Sequence, residues 1–158
     1  MIFDPANPSC VQDTPITRYD GIVTGTGRLV RVGLVNTGTM TVEGVRVLLI
    51  GLEPQGIPFG PIPMLEMHDA DGQISREGFP VNPGPGPSRF VCVVGKPDKG
   101  ANSDEIRLYY AVSDRANIIP SRNYRLTLSA EGRDVSAVRR DFVVGVAENG
   151  VLHFSAVK

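Results

Sequence analysis

Apolar and polar residues alternate along much of the chain with a period of two, which is typical of strands buried on one face. The segment 29–35 shows the pattern first, with Val30, Val32 and Leu34 on one face and Arg31 on the other. Frequent turn residues separate such segments, and no helical pattern lies between them. We therefore predict an all-β fold, a two-sheet β-sandwich of about seven strands. The predicted strands are 29–35, 42–52, 89–94, 106–112, 124–130, 139–146 and 151–154.

Turn residues stand between the predicted strands. Asparagine and glycine tolerate positive φ, and both occur in the 36–39 turn and in the Asn149-Gly150 pair, a strong hairpin signal. Asn82 and Gly84 flank Pro83 and are predicted to have a structural role, in a turn that precedes the strand at 89–94. The sandwich domain is expected over 29–158. Residues 1–28 lack the alternation and predict an extended amino-terminal arm, with an edge strand near Val23.

The segment 53–88 interrupts the pattern with many prolines, which lack the backbone N–H that a central strand needs. Long loops in compact domains are often functional. We expect Phe59, Ile62, Met64 and Met67 in this Pro-rich loop to contact a partner; the open alternative is that they cover the sheet's own core. Under the first hypothesis, deleting 57–65 spares the fold and abolishes binding.

Composition narrows the class of partner. The 16 basic and 17 acidic residues nearly cancel, whereas nucleic-acid binders usually carry a basic excess, so no nucleic-acid partner is expected. No signal peptide begins the chain, and no stretch approaches the roughly 20 apolar residues that span a bilayer. We expect a soluble cytoplasmic domain without direct membrane contact; the alternative is the soluble domain of a protein anchored upstream.

The chain has only two cysteines, Cys10 and Cys92, which is too few for a disulfide-rich exported domain. Cys92 lies in an apolar run and is interpreted as a buried side chain. Whether the two cysteines pair is left open by the sequence. Arg133, Arg139 and Arg140 are the nearest approach to a basic patch, but acidic residues lie among them, which indicates a solvated face.

Several segments resemble known sandwich domains. The run 31–38 followed by 45–48 is similar to the strand, Asn-Thr-Gly, strand opening of bacterial adhesion-type sandwiches, and Tyr124 resembles a tyrosine corner, whose hydroxyl ties a strand to the preceding loop. Most of the chain also resembles a family of short bacterial immunoglobulin-like proteins. That resemblance implies an immunoglobulin-like sandwich and, in some members, an amino-terminal membrane helix, but no assigned activity and no catalytic residues. The segments that carry it are Phe3-Asp4-Pro5, Met67-His68-Asp69, Asn82-Pro83-Gly84 and Glu148-Asn149-Gly150.

Candidate chemistry is concentrated in one polar cluster. Asp69 and Asp71 precede a glycine and are candidate ligands for calcium, which prefers oxygen, but the pattern of a calcium loop is incomplete. Glu66 and His68 lie nearby, which leaves a calcium- or zinc-dependent site or a hydrolase as the alternative function. No nucleophile elbow is present. His153 is expected to face solvent.

The leading hypothesis is a non-enzymatic module that binds another protein or a second copy of itself and needs no cofactor. It is motivated by the absence of any catalytic motif and by the long apolar loop on a rigid scaffold. Self-association through an open edge strand, giving a homodimer, is a further possibility because sandwiches have edges that can pair.

Overall fold

The computed structural model describes residues 1–17, 23–57, 60–64, 78–97, 105–109 and 118–158. These residues form two antiparallel sheets packed together, which confirms the prediction of an all-β fold with two sheets. Eleven strands lie in the described ranges, namely β1 (Val11–Thr17), β2 (Val23–Leu34), β3 (Val42–Glu53), β4 (Ile62–Pro63), β5 (Phe79–Val81), β6 (Arg89–Pro97), β7 (Glu105–Leu108), β8 (Ile118–Pro120), β9 (Tyr124–Gly132), β10 (Val135–Val146) and β11 (Leu152–Ala156).

The first sheet has the order β1-β2-β6-β7-β8, and the second has the order β11-β10-β9-β3-β4, with β5 also paired to β3. The core lies between the sheets and is made by the alternating apolar positions of both. From the first sheet, Val30, Val32 and Leu34 face Val47 and Leu126 of the second. The period-two pattern of the sequence therefore marks the inward faces correctly.

Four of the eleven strands have no counterpart among the seven that the alternation predicts. Three of them are the short strands β4, β5 and β8, of two or three residues, and each contains a proline. β4 lies at the edge of its sheet, which agrees with the expectation that the Pro-rich loop supplies no central strand. The fourth, β1, lies in the predicted arm and pairs with β2, and β2 itself begins at Val23 rather than at residue 29.

The amino-terminal residues connect the two sheets along one side of the sandwich. Ile2 pairs with Gly33 of β2 through two backbone hydrogen bonds of 2.8 and 2.9 Å. The ring of Phe3 packs edge-on against Phe154 of β11, with 4.8 Å between the ring centroids. Arg140 of β10 donates a 2.7 Å hydrogen bond to the carbonyl of Met1. Residues 1–3 thus make contacts with both sheets.

The 36–39 turn is held by a side chain. The turn was predicted because asparagine and glycine tolerate positive φ, but neither Asn36 nor Gly38 has a positive φ. Instead, Asn36 Oδ1 accepts from the Gly38 N–H at 2.9 Å, and its Nδ2 donates to the carbonyls of Met40 and Val81. At the other predicted hairpin, Gly150 does have a φ of 79°, and β10 and β11 pair on either side.

The two cysteines are buried and free. Cys92 lies opposite Arg31 on one side of β2, and the Arg31 N–H donates to the carbonyl of Cys10 on the other side. Two strand spacings amount to roughly 9–10 Å, whereas the Cα atoms of a disulfide are about 4.4–6.8 Å apart. The bridge that the sequence left open is therefore not formed.

Candidate functional site

The Pro-rich loop does not present its apolar residues as expected. Ile62 and Met64 are buried in the core, β4 pairs with β3, and the Met64 N–H donates to the carbonyl of Val47 at 2.8 Å. The prediction that these two side chains contact a partner is corrected, and the alternative that they cover the sheet's own core holds for them. Deleting 57–65 would therefore remove core residues. Phe59 and Met67 lie outside the described residues.

The proposed metal or hydrolase cluster cannot be assembled from the described residues. Glu66, His68, Asp69 and Asp71 all lie outside them. Within the ranges that the structure does describe, no three His, Cys, Asp or Glu side chains come close enough to share a metal ion. His153 is exposed on β11, as the sequence predicts.

The buried Cys92 thiol offers little nucleophilic chemistry. Burial raises the pKa of the Cys92 thiol, although the neighbouring Arg31 acts in the opposite direction through its charge and a hydrogen bond. A thiol is reactive as the thiolate, which a raised pKa disfavours. Arg31 itself donates from Nη2 to Gln12 at 2.7 Å. We interpret Cys92 as a structural residue, as the sequence does.

Tyr124 and the 82–84 turn have structural positions. The Tyr124 side chain is buried, and its hydroxyl accepts from Arg122 Nε at 3.0 Å and donates to Gln55 at 3.4 Å. The hydroxyl therefore connects β9 to the preceding loop, but through side chains rather than through the backbone as in a tyrosine corner. Gly84 N–H donates to the carbonyl of Asn36, and Asn82 Oδ1 accepts from Thr41.

One end of the sandwich is open, and we call the groove there the open end. It has a volume of about 190 Å³ and lies where β2 ends, where β3 begins and where β9 turns into β10. Val135 and Val138 of β10 form its rim and are 47% and 54% exposed. The floor is apolar and includes Leu34, Val42, Val45, Val81 and Ala130.

The open end exists because β10 is longer than its outer neighbour. β11 pairs only with residues 142–146 of β10, so among the described residues 135–140 pair with β9 alone. All six of these residues are exposed. Val135 lies opposite Gly132 and Val138 opposite Ala130, which places both valines on the inward face of the sheet. At Gly132 an added Cβ would lie 2.7 Å from Val42, so the glycine permits the close approach of the hairpin to β3.

We call residues 135–140 of β10 the free edge, because among the described residues only β9 pairs with them. A basic cavity of about 340 Å³ lies beside the free edge. Its lining includes four cationic side chains, Arg125, Arg139, Arg140 and Lys158, and one carboxylate side chain, that of Asp141. Arg125 Nη2 lies 2.6 Å from Asp141 Oδ2. Hydrogen bonds from Thr127 and from Arg125 hold the pKa of Asp141 below its usual value.

The single carboxylate of the basic cavity is therefore paired, and no ion pair of Arg139 or Lys158 occurs within the described residues. The sequence interprets Arg139 and Arg140 as part of a solvated face and does not find this cavity. Acidic residues lie near these arginines along the chain, but the cavity that the arginines line brings four cationic side chains together with one carboxylate side chain.

No protein-family model, no curated protein and no solved structure matches the chain. Among the residues that the structure describes, no helix has the length and apolar character needed to cross a membrane.

Proposed function

We propose that this domain is a non-enzymatic module that binds another protein through the open end of the sandwich. The observation that carries the proposal is the pair of half-exposed valines, Val135 and Val138, above an apolar groove and on a stretch of β10 that has no outer neighbour among the described residues. The immunoglobulin-like type of the sandwich, and its relation to short bacterial proteins of that type, belong to the same proposal.

The energetics favour a partner at this site. Fully burying a valine contributes about 1.5–3 kcal/mol relative to leaving it exposed, so covering two half-exposed valines contributes a similar amount in total. Single exposed apolar residues need no explanation, whereas these two valines adjoin one and the same apolar groove. Met40, two residues before β3 begins, is also exposed, at 77%.

The metal-dependent or hydrolytic alternative stays a prediction from the sequence, because its residues lie outside the described ranges. A rise in melting temperature on adding calcium or zinc would support it. Nothing in the described part of the chain favours it over the binding module.

Affinity capture from the source cells tests the proposal, with the wild-type chain compared with Val138→Asp. The matched control is Val151→Asp, because Val151 is 41% exposed and follows the turn at the other end of β10. We expect a partner that binds the wild type and the control but not Val138→Asp. Capture that is equal for all three chains, or capture of no partner by any of them, would contradict the proposal.

A further inference from the structure

We propose that the free edge of β10 accepts an extended segment of a partner protein as an added strand, and that this segment alternates apolar and acidic residues. The inference rests on the proposed function and deepens it, because it states the chemistry of the partner. Four features of the edge support the inference. They are the length of the edge, its position along the path of β11, the side chains on its two faces and its charge.

The edge continues the path of β11. β11 runs antiparallel to β10 and ends at Ala156, opposite Phe142. One residue further, the Val157 N–H still donates to the carbonyl of Asp141 at 2.9 Å. Beyond this point, the backbone of residues 135–140 pairs only with β9 within the described chain, although the Arg140 side chain donates to the carbonyl of Met1. Residues 138–140 pair with β9 in regular register, and a register shift separates them from Val135. The six residues from 135 to 140 span at most roughly 20 Å.

The two faces of the edge select the side chains of an incoming strand. Residues that lie opposite each other on neighbouring strands point to the same face. Val138 is on the inward face with Ala130, whereas Arg139 lies opposite Ser129 on the outward face. A residue beside Val138 would thus point into the apolar groove, and its neighbours in sequence would point outward beside Arg139. The edge therefore favours apolar residues at alternate positions.

The charge of the edge selects the remaining positions. Arg140 lines the basic cavity, but it lies opposite Leu128, shares the inward face with Val138 and donates to the carbonyl of Met1. Arg139 and Lys158 are the other cations of the edge, and the one carboxylate side chain of the cavity is paired with Arg125. Carboxylates on the incoming strand would neutralise these cations. A second copy of this chain would instead add the same two arginines to the edge.

Synthetic peptides test the inference with the full chain. The probe is fluorescein-labelled Asp-Val-Glu-Val-Asp-Val with capped ends, followed by fluorescence anisotropy at low salt. The controls are Lys-Val-Lys-Val-Lys-Val, which reverses the charge, and Asp-Ser-Glu-Ser-Asp-Ser, which removes the apolar side chains. We expect both controls to bind at least about tenfold more weakly, because each loses one of the two interactions and about 1.4 kcal/mol corresponds to a factor of ten.

Two further measurements separate strand addition from attachment by side chains alone. Methylating alternate backbone nitrogens of the probe, in each of the two possible sets, should abolish binding for the set that faces β10 and spare the other set. Val138→Asp and Arg139→Glu should each weaken binding about tenfold or more. Arg107→Glu should not, because the exposed Arg107 lies on β7 of the other sheet.

The inference is wrong if the acidic probe does not bind, if both methylated sets bind unchanged, or if Arg139→Glu has no effect. It is also wrong if the wild-type chain sediments as a dimer that Val138→Asp dissociates, because a second copy then occupies the edge. Failure of the probe together with a captured partner that Val138→Asp loses would leave the binding module standing. Binding of the probe together with capture that is insensitive to Val138→Asp would leave strand addition standing and overturn the proposed function.

Discussion

The two halves of β10 differ sharply although they belong to one strand. Residues 142–146 pair with β9 on one side and β11 on the other, and Phe142 and Val144 are buried. Residues 135–140 pair with β9 alone among the residues that the structure describes, and all of them are exposed. Pairing with β9 is common to both halves. The second neighbour and the cover from the facing sheet are what differ.

The distribution of apolar residues along the sequence does not distinguish the two halves. Both halves carry valines on the inward face, Val144 in the covered half and Val135 and Val138 in the open one. Apolar residues that the described part of the chain leaves uncovered are typical of surfaces that a partner covers. The comparison therefore predicts that the two halves respond very differently to the same kinds of substitution, and the following measurements would break or sharpen it.

The largest effect is expected from Phe142→Ala. The Phe142 ring is buried and stacks on Phe154, with 5.0 Å between the ring centroids. Removing it leaves a cavity that the two packed sheets cannot fill, so we expect the free energy of unfolding to fall by about 3–5 kcal/mol. Urea denaturation measures the change. In the open half, Val138→Ala should cost less than about 0.5 kcal/mol; equal losses at the two positions would contradict the comparison.

Tyr124→Phe, in the β9 residue that pairs with the covered half of β10, should have an intermediate effect on the free energy of unfolding. Tyr124 lies opposite Val144, and its hydroxyl joins Arg122 to Gln55. Losing the hydroxyl leaves the ring packed but removes both hydrogen bonds, so we expect a loss of about 0.5–1.5 kcal/mol. Gln55→Ala in the Tyr124→Phe background should then have a smaller effect than in the wild type. Additive losses would show that the hydroxyl does not couple the two residues.

The alternation of the sequence predicts the covered half of β10 but only residues 139–140 of the open half. The predicted strand begins at residue 139 because Val135, Ser136, Ala137 and Val138 do not alternate, and a segment exposed on both faces has no reason to alternate. β1 is missed for a related reason. It pairs with β2 through its backbone, and its sequence contains Pro15 and few apolar residues.

The candidate site was harder to predict than the fold. Apolar residues in the Pro-rich loop suggested a binding surface, but composition cannot distinguish side chains that face the chain's own core from side chains that face a partner. Ile62 and Met64 face the core. The basic cavity combines Arg125, Arg139 and Lys158, which are distant in sequence and meet only through the pairing of β9, β10 and β11. No local pattern contains that information.

A smaller effect is expected at the boundary between the halves, from the titration of Asp141. Hydrogen bonds from Thr127 and Arg125 lower its folded-state pKa, so its contribution to stability is present above the unfolded-state pKa of about 3.9 and is lost as pH falls through the lower folded value. Above roughly pH 5, we expect the free energy of unfolding of the wild type to exceed that of Asp141→Asn by about 0.5 kcal/mol. The difference is small because the Arg125–Asp141 pair is largely exposed. The difference should shrink in acid and in high salt; a difference that grows in acid would contradict the assignment.

The smallest effect is expected from Val138→Thr. This substitution is informative when it is compared with Val144→Thr in the other half of the same strand. Threonine has nearly the shape of valine but adds a hydroxyl, which must remain hydrogen-bonded to water or to protein. At Val144, which is fully buried, the hydroxyl loses water, and we expect a cost of about 1–3 kcal/mol. At Val138, which is 54% exposed, the hydroxyl keeps its water, and the free energy of unfolding should change by less than about 0.5 kcal/mol.

If a partner covers Val138 in the complex, the same Val138→Thr substitution should weaken binding while leaving folding unchanged, because the hydroxyl would then be buried at the interface. Chemical denaturation of the free chain and titration with the captured partner measure the two quantities separately. A Val138→Thr chain that folds and binds as the wild type does would show that Val138 stays in water throughout, and the contrast between the halves of β10 would then have no functional meaning.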